Sequence, residues 1–177
     1  MQKRFHAAEE LPRIPDDLGA WEYLRNQDQR LAEIVQYIKN LTNYPLCFNQ
    51  QADYYPLGEK MFSAMPAELE QAGRFIFVEY FIVEPGLMWD TMVEILARKA
   101  ASGVDVRGIY DDLGSISTYN PGNVRELKRK GILGIAFNPL IFMKGTLNYR
   151  DHLKMLVIDG KVTFSGGINL ADNTSTM

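Results

Sequence analysis

The sequence has one cysteine, Cys47, and two histidines, His6 and His152. A single cysteine closes no internal disulfide and builds no cysteine-cluster zinc site. Excess charge of one sign is also missing. Nineteen Lys and Arg stand against 22 Asp and Glu, a net charge of -3, so no basic balance points to a nucleic acid. No apolar run approaches the ~18–20 residues needed to cross a bilayer. The longest, Phe75–Val83, is interrupted by Glu79. The start, Met1-Gln2-Lys3-Arg4-Phe5-His6-Ala7, lacks the apolar stretch of a signal peptide. Together these absences predict a soluble chain. What is present is ordinary: 177 residues, 46% hydrophobic and 23% charged, which suffices for one globular domain with its own core and a short arm. The sequence contains no internal repeat.

Residues 1–43 read as an irregular arm, with Pro12 and Pro15, followed by one helix from Asp16 to about Lys39. Leu24, Leu31, Ile34, Val35 and Ile38 give that helix an apolar stripe. Residues 44–177 read as the domain. Leu46–Phe48 and Ala52–Tyr55 are expected as short strands. Helices are then expected over Gly58–Ala72, Leu87–Ala101 and Val124–Lys130, and strands over Arg74–Val83, Val104–Tyr110 and Ile132–Phe137. Gly103 and Gly131 serve as helix stops. Strands alternating with helices predict an α/β fold with a mostly parallel sheet.

The chemistry is concentrated near the C-terminal end. Asp159-Gly160 lies between two apolar runs and predicts a two-residue type I′ hairpin. That turn would pair Ile158 with Lys161, Leu156 with Thr163, Lys154 with Ser165 and His152 with Gly167. His152 and Lys154 would then share a face, about 7 Å apart. Gly166 and Gly167 leave room and bare backbone beside the imidazole, and Asn169 adds an amide. Such a patch suits a phosphate: charge-assisted donors hold the oxygens, and the imidazole attacks or donates a proton. Asp159 braces the turn. The plainer alternative is an amphipathic hairpin with one surface His and one surface Lys. The whole pattern, H-x-K-x4-D-x6-G-G-x-N, arises by chance in a chain this long on the order of once in 10⁵.

That pattern resembles the HKD signature of the phospholipase D superfamily. The likeness extends to Phe77-Val78-Glu79-Tyr80-Phe81-Ile82, Gly103-Val104-Asp105-Val106-Arg107, Tyr110-Asp111-Asp112-Leu113-Gly114-Ser115, Asn148-Tyr149-Arg150-Asp151-His152 and Gly166–Asp172. These runs resemble bacterial cardiolipin synthases over roughly residues 44–172. Gly167 stands where many superfamily members have Ser, and Tyr149 and Leu153 depart from the usual residues.

The resemblance implies a phospholipase D-like α/β/α sandwich with a C-terminal β-hairpin carrying the motif. It implies transfer of a phosphatidyl group between two phosphatidylglycerol molecules, with glycerol released, through a phosphohistidine and without metal or cofactor. His152, Lys154 and Asp159 would be the catalytic trio, with Gly166, Gly167 and Asn169 around the phosphate and Glu79 in support. One imidazole cannot stand on both sides of a phosphorus, so a second HKD half is required, in cis or by homodimerisation. The chain is then expected to be the truncated N-terminal half of an enzyme at the cytoplasmic face of the bacterial membrane, with anionic phospholipid as partner and no nucleic acid. The rival expectations are a homodimeric phosphodiesterase acting on lipid or nucleic acid, and a non-catalytic lipid-binding fragment.

Three features outside the hairpin also carry charge. Glu79, inside an apolar run, needs a partner: it either orients a catalytic group or pairs with an arginine. Asp111-Asp112, after a strand, reads as a turn that satisfies backbone groups in preference to a metal site. Arg125, Lys128, Arg129 and Lys130 read as a solvated helix face in preference to a lipid-binding one.

Overall fold

The computed structural model describes residues 15–42, 44–47, 50–140 and 147–172. They fall into two compact units that divide between Tyr54 and Tyr55.

The first unit holds two helices, α1 (Leu18–Gln27) and α2 (Gln29–Thr42), where one was expected. Asp28 makes the break. Its backbone is extended, its N–H still donates to the Leu24 carbonyl, and its carboxylate caps the next helix through the N–H groups of Arg30 and Leu31. Asp17 caps α1 by accepting the Ala20 N–H. Lys39 pairs with Asp16, and both Lys39 and Arg25 lie over the Trp21 ring. Leu31, Ile34 and Ile38 of the expected stripe are exposed. The described parts of the two short strands expected between residues 46 and 55 are irregular; Phe48 lies outside the described residues.

The second unit is a mixed α/β domain with a five-stranded open sheet. Its elements are α3 (Gly58–Glu70), β1 (Phe75–Tyr80), α4 (Leu87–Ala101), β2 (Asp105–Asp111), α5 (Pro121–Arg129), β3 (Leu133–Phe137), β4 (Lys154–Ile158) and β5 (Val162–Ser165). The strand order is β3-β2-β1-β4-β5. The first three strands are mutually parallel, and the β4–β5 hairpin joins antiparallel along β1.

Alternation along the strands explains the layers. Ile76, Val78 and Tyr80 of β1, Val106 and Tyr110 of β2, Leu156 and Ile158 of β4 and Phe164 of β5 are buried on one face. They share a core with Met65 and Leu69 of α3, Met92 and Leu96 of α4 and Leu127 of α5. Each fully buried side chain of this kind contributes about 1.5–3 kcal/mol. The alternate residues form a second face, on which Phe77 is 38% and Ile135 53% exposed. The described helices of this unit thus supply one helical layer of the expected sandwich.

Helix starts follow local chemistry. Asn120 caps α5 through the Gly122 N–H, and Pro121 takes the first helical position, which starts the helix earlier than expected. Helix α4 has no cap of its own. Asp172, from far along the chain, accepts the N–H groups of Leu87 and Met88. The exposed side chains of Arg125, Lys128 and Arg129 line α5, and Lys130 pairs with Glu126 at 3.3 Å.

The hairpin register differs from expectation by one residue. Asp159 and Gly160 take the two positive φ angles of a type I′ turn, and the Lys161 N–H donates to the Ile158 carbonyl. The ladder, however, pairs Ile158 with Val162, Leu156 with Phe164 and Met155 with Ser165. Lys161 is one extra residue, and an odd insertion moves every later pairing by one. Lys154 therefore lies level with Gly166, whose N–H donates to the Lys154 carbonyl at 3.4 Å. His152 precedes the strand altogether.

Candidate active site

The site forms where β1 ends and β4 begins. Tyr80 is paired with Lys154, so the two residues before Lys154 lie beyond the ladder, next to the chain leaving β1. That chain is held from the other side as well. Val83 and Leu170 form a parallel bridge, the Leu170 N–H donates to the Ile82 carbonyl, and the Asn169 Oδ1 accepts the Ile82 N–H at 3.1 Å. The tail that follows β5 thereby brings Gly166, Gly167 and Asn169 to the same end of the sheet as His152 and Lys154.

Phe81 is the centre of the cluster, and sequence reasoning missed it. The His152 ring lies 4.7 Å from the Phe81 ring, centroid to centroid, and the Lys154 Nζ lies 5.1 Å from it. A cation over an aromatic face is attracted by the ring quadrupole. Phe81 is itself fixed. Its carbonyl accepts the Ser115 hydroxyl, and a Cβ on Gly114 would come within 2.4 Å of that carbonyl oxygen. The imidazole is exposed while Lys154 is buried, and both lie against the Phe81 ring. The Lys154 Nζ donates to the His152 carbonyl at 2.8 Å. Burial lowers the Lys154 pKa, because a charged ammonium loses hydration there. Among the described residues, nothing beyond its chain neighbours lies within 4 Å of where a Gly167 Cβ would stand.

Two carboxyl groups, those of Asp111 and Asp151, hold the turn that carries His152. Buried Asp111 accepts the Asp151 N–H at 3.0 Å and pairs with Arg150 at 3.4 Å, and it also accepts the N–H groups of Leu113 and Gly114. Arg150 donates further to the carbonyls of Leu147 and Asn138. Asp151 Oδ1 accepts the Leu153 N–H, closing a turn over His152 itself. The Asp151 carboxyl raises the Glu79 pKa to about 7, with burial adding to the rise. Asp112 accepts the Leu140 N–H. Among the described residues no group of three or more His, Cys, Asp and Glu is placed to hold a metal ion. Asp111, Arg150 and Asp151 stand inside the runs that carry the resemblance, and Asp111 reads as a turn former, but their hold on the turn bearing His152 was not read from the sequence.

Asp159 lies elsewhere. It follows Ile158, which pairs with Ile76 at the start of β1, so it occupies the opposite end of the strand from Lys154. Its carboxylate accepts the N–H groups of Gly73, Arg74 and Phe75, while Arg74 donates back to the Asp159 carbonyl. Those donors hold its pKa down at about 2.

Residues 66–176 match the family described as "Cardiolipin synthase, PLD-like domain". The chain belongs to this family. A cardiolipin synthase of Geobacillus kaustophilus is 38% identical over 131 residues, covering 73% of this chain and 26% of the relative. An uncharacterised protein of Streptococcus mutans is 41% identical over 150 residues, covering 84% of this chain and 32% of the relative. The chain thus spans about a quarter to a third of these relatives. Among solved structures, NucT from Helicobacter pylori is similar with a TM-score of 0.49 and 17% identity, covering 66% of this chain and 70% of that one. Family membership makes the chain a member of the phospholipase D superfamily. No described helix is long and apolar enough to cross a membrane.

Proposed function

We propose that this domain is the first HKD half of a cardiolipin synthase. The observation that carries the reading is the exposed His152 ring and the buried Lys154 ammonium, both against Phe81, at the end of the sheet that also carries Gly166 and Gly167.

In this reading His152 attacks the phosphorus of one phosphatidylglycerol. A P–N bond forms, the P–O bond to the headgroup glycerol breaks, and a histidine from the second HKD half gives the leaving alkoxide its proton. That second histidine then takes a proton from the hydroxyl of another phosphatidylglycerol, whose oxygen displaces His152. Cardiolipin leaves and the imidazole is restored. Lys154 and Asn169 bind the phosphate oxygens, and the backbone at Gly166 and Gly167 allows close approach. Asp159 braces the hairpin, and Glu79 supports the turn bearing His152. The second half comes in cis or from another copy, the substrate is anionic phospholipid at the cytoplasmic face of the membrane, and nucleic acid is not a substrate.

The test is a chimera in which this chain replaces the matching 131 residues of the Geobacillus kaustophilus enzyme. On phosphatidylglycerol vesicles the chimera should release glycerol and cardiolipin in equal amounts, and His152→Asn should abolish both. Phosphatidic acid in place of cardiolipin, or product that survives His152→Asn, overturns the reading.

A further inference from the structure

We propose that Asp111 is a positioning residue for His152: its buried carboxylate fastens the turn that carries the imidazole to the same loop that fastens Phe81. This role rests on the assignment of His152 above and is read from the position of the ring alone.

Asp111 ends β2, where it pairs with Phe137, and it is 1% exposed. Four donors converge on its two oxygens. Oδ1 accepts the N–H groups of Leu113 at 3.0 Å and Gly114 at 2.9 Å and faces the Arg150 guanidinium at 3.4 Å. Oδ2 accepts the Asp151 N–H at 3.0 Å. The two oxygens thus divide their work. One folds the loop that follows β2, and the other holds the residue before His152. An ionised carboxylate only accepts, so it serves both sides, whereas a neutral amide has a single acceptor oxygen. The Arg150 guanidinium balances the buried charge that this requires.

The same loop reaches Phe81 through buried Ser115. The Ser115 N–H donates to the Asp111 carbonyl at 3.0 Å, and its hydroxyl donates to the Phe81 carbonyl at 3.2 Å. The Ser115 oxygen also accepts the Val83 N–H at 3.0 Å. The imidazole and the aromatic ring therefore come from different strands but share one anchor. Two further bonds flank His152: its carbonyl accepts from the Lys154 ammonium at 2.8 Å, and the Leu153 N–H donates to the Asp151 carboxylate at 3.1 Å. Both lie within residues 151–154 and move with them. The bond from the Asp151 N–H to Asp111 ties that segment to the end of β2, and so sets the 4.7 Å between the two rings.

Proton NMR of the full chain tests this directly, with the imidazole signals assigned by His152→Asn. The unaltered chain should show a nuclear Overhauser contact between the His152 and Phe81 rings, and another between the Tyr110 and Tyr119 rings, whose centroids lie 5.1 Å apart. Asp111→Asn keeps one oxygen for Leu113 and Gly114 and turns an NH2 group toward the Asp151 N–H. It should lose the first contact and keep the second, a selectivity that general loosening of the fold does not produce. Where the variant loses both contacts, amide exchange in the unaltered chain decides: the Asp151 N–H should exchange about 10²-fold more slowly than in an open chain. A His152–Phe81 contact that survives Asp111→Asn, or an Asp151 N–H that exchanges at the open-chain rate, overturns the proposal. Neither readout requires turnover. Failure here therefore leaves the transferase reading standing, while failure of the chimera leaves the hold of Asp111 on the turn intact.

Discussion

The two ends of strand β4 differ in kind. At the Asp159 end, the carboxylate accepts N–H groups from Gly73, Arg74 and Phe75, and the carbonyl accepts from Arg74. At the other end, His152 is exposed, no described atom beyond the chain neighbours comes within 4 Å of where a Gly167 Cβ would stand, and the Asp151 carboxyl raises the Glu79 pKa to about 7. One strand thus carries a closed, fully engaged terminus and an open one. The closed end anchors the hairpin to the sheet, and the open end leaves the imidazole accessible, as the proposed attack on a phosphodiester requires. A hairpin loose at both ends would not aim the histidine; one sealed at both ends would not expose it.

The largest expected effect lies at the open end. In the chimera, His152→Asn should lower phosphatidyl transfer by about 10⁴-fold or more, since it removes the proposed nucleophile. Its thermal midpoint should stay unchanged, because the ring is exposed. Lys154→Met should cost about 10²–10³-fold in transfer, comparable to losing one charge-stabilising donor. Transfer that survives either change would erase the contrast between the ends.

Asp159→Asn inverts the pattern: it should cause the largest fall in thermal midpoint of this set. The pH dependence fixes its sign. The Asp159 pKa is held at about 2 in the folded protein, below its ordinary value of 3.8. It therefore contributes stability above about pH 4 that is lost as pH falls toward 2. The variant should show a shallower loss of stability over that window in acid denaturation.

Glu79 has the opposite sign. Its pKa is raised from 4.5 to about 7, so its stabilising contribution is complete below 4.5 and is lost as pH rises through 7. Glu79→Gln should narrow the difference in thermal midpoint between pH 5 and pH 8. An unchanged difference would place Glu79 outside the fold's pH response. The smallest effect belongs to Gly167→Ala, which should change stability by no more than about 0.5 kcal/mol, as its Cβ meets no neighbour.

Much of this was legible from residues alone. The β1 run reads as a buried strand because aromatic and β-branched residues alternate around it, and α4 was bounded correctly because Gly103 stops it. The turn at Asp159-Gly160 was legible, but the register was not. Lys161 adds a residue after a correctly formed turn, and no local preference announces such an insertion. The break at Asp28 was hidden because the apolar stripe continues across it. At the site, His152 and Lys154 stood out by spacing. Phe81 did not, since an aromatic at a strand end looks like core, and its role appears only when β4 is laid beside β1. Asp111 was visible as a turn former, yet its second task, holding the Asp151 N–H, depends on a residue 40 positions away.

The strand order also sets a timetable. β4 lies between β1 and β5, yet β1 is made long before either. At about 5–20 residues per second, synthesis from Tyr80 to Lys154 takes on the order of 4–15 s. Through that interval β2 is able to cover one edge of β1, while the other edge has no strand to meet. An unpaired edge is a template for other chains. The arrival of the hairpin, clamped at once by Asp159 onto the start of β1, is then the event that ends the exposure. The residue that sits farthest from the chemistry along β4 is the one that decides how soon a nascent chain becomes safe from its neighbours.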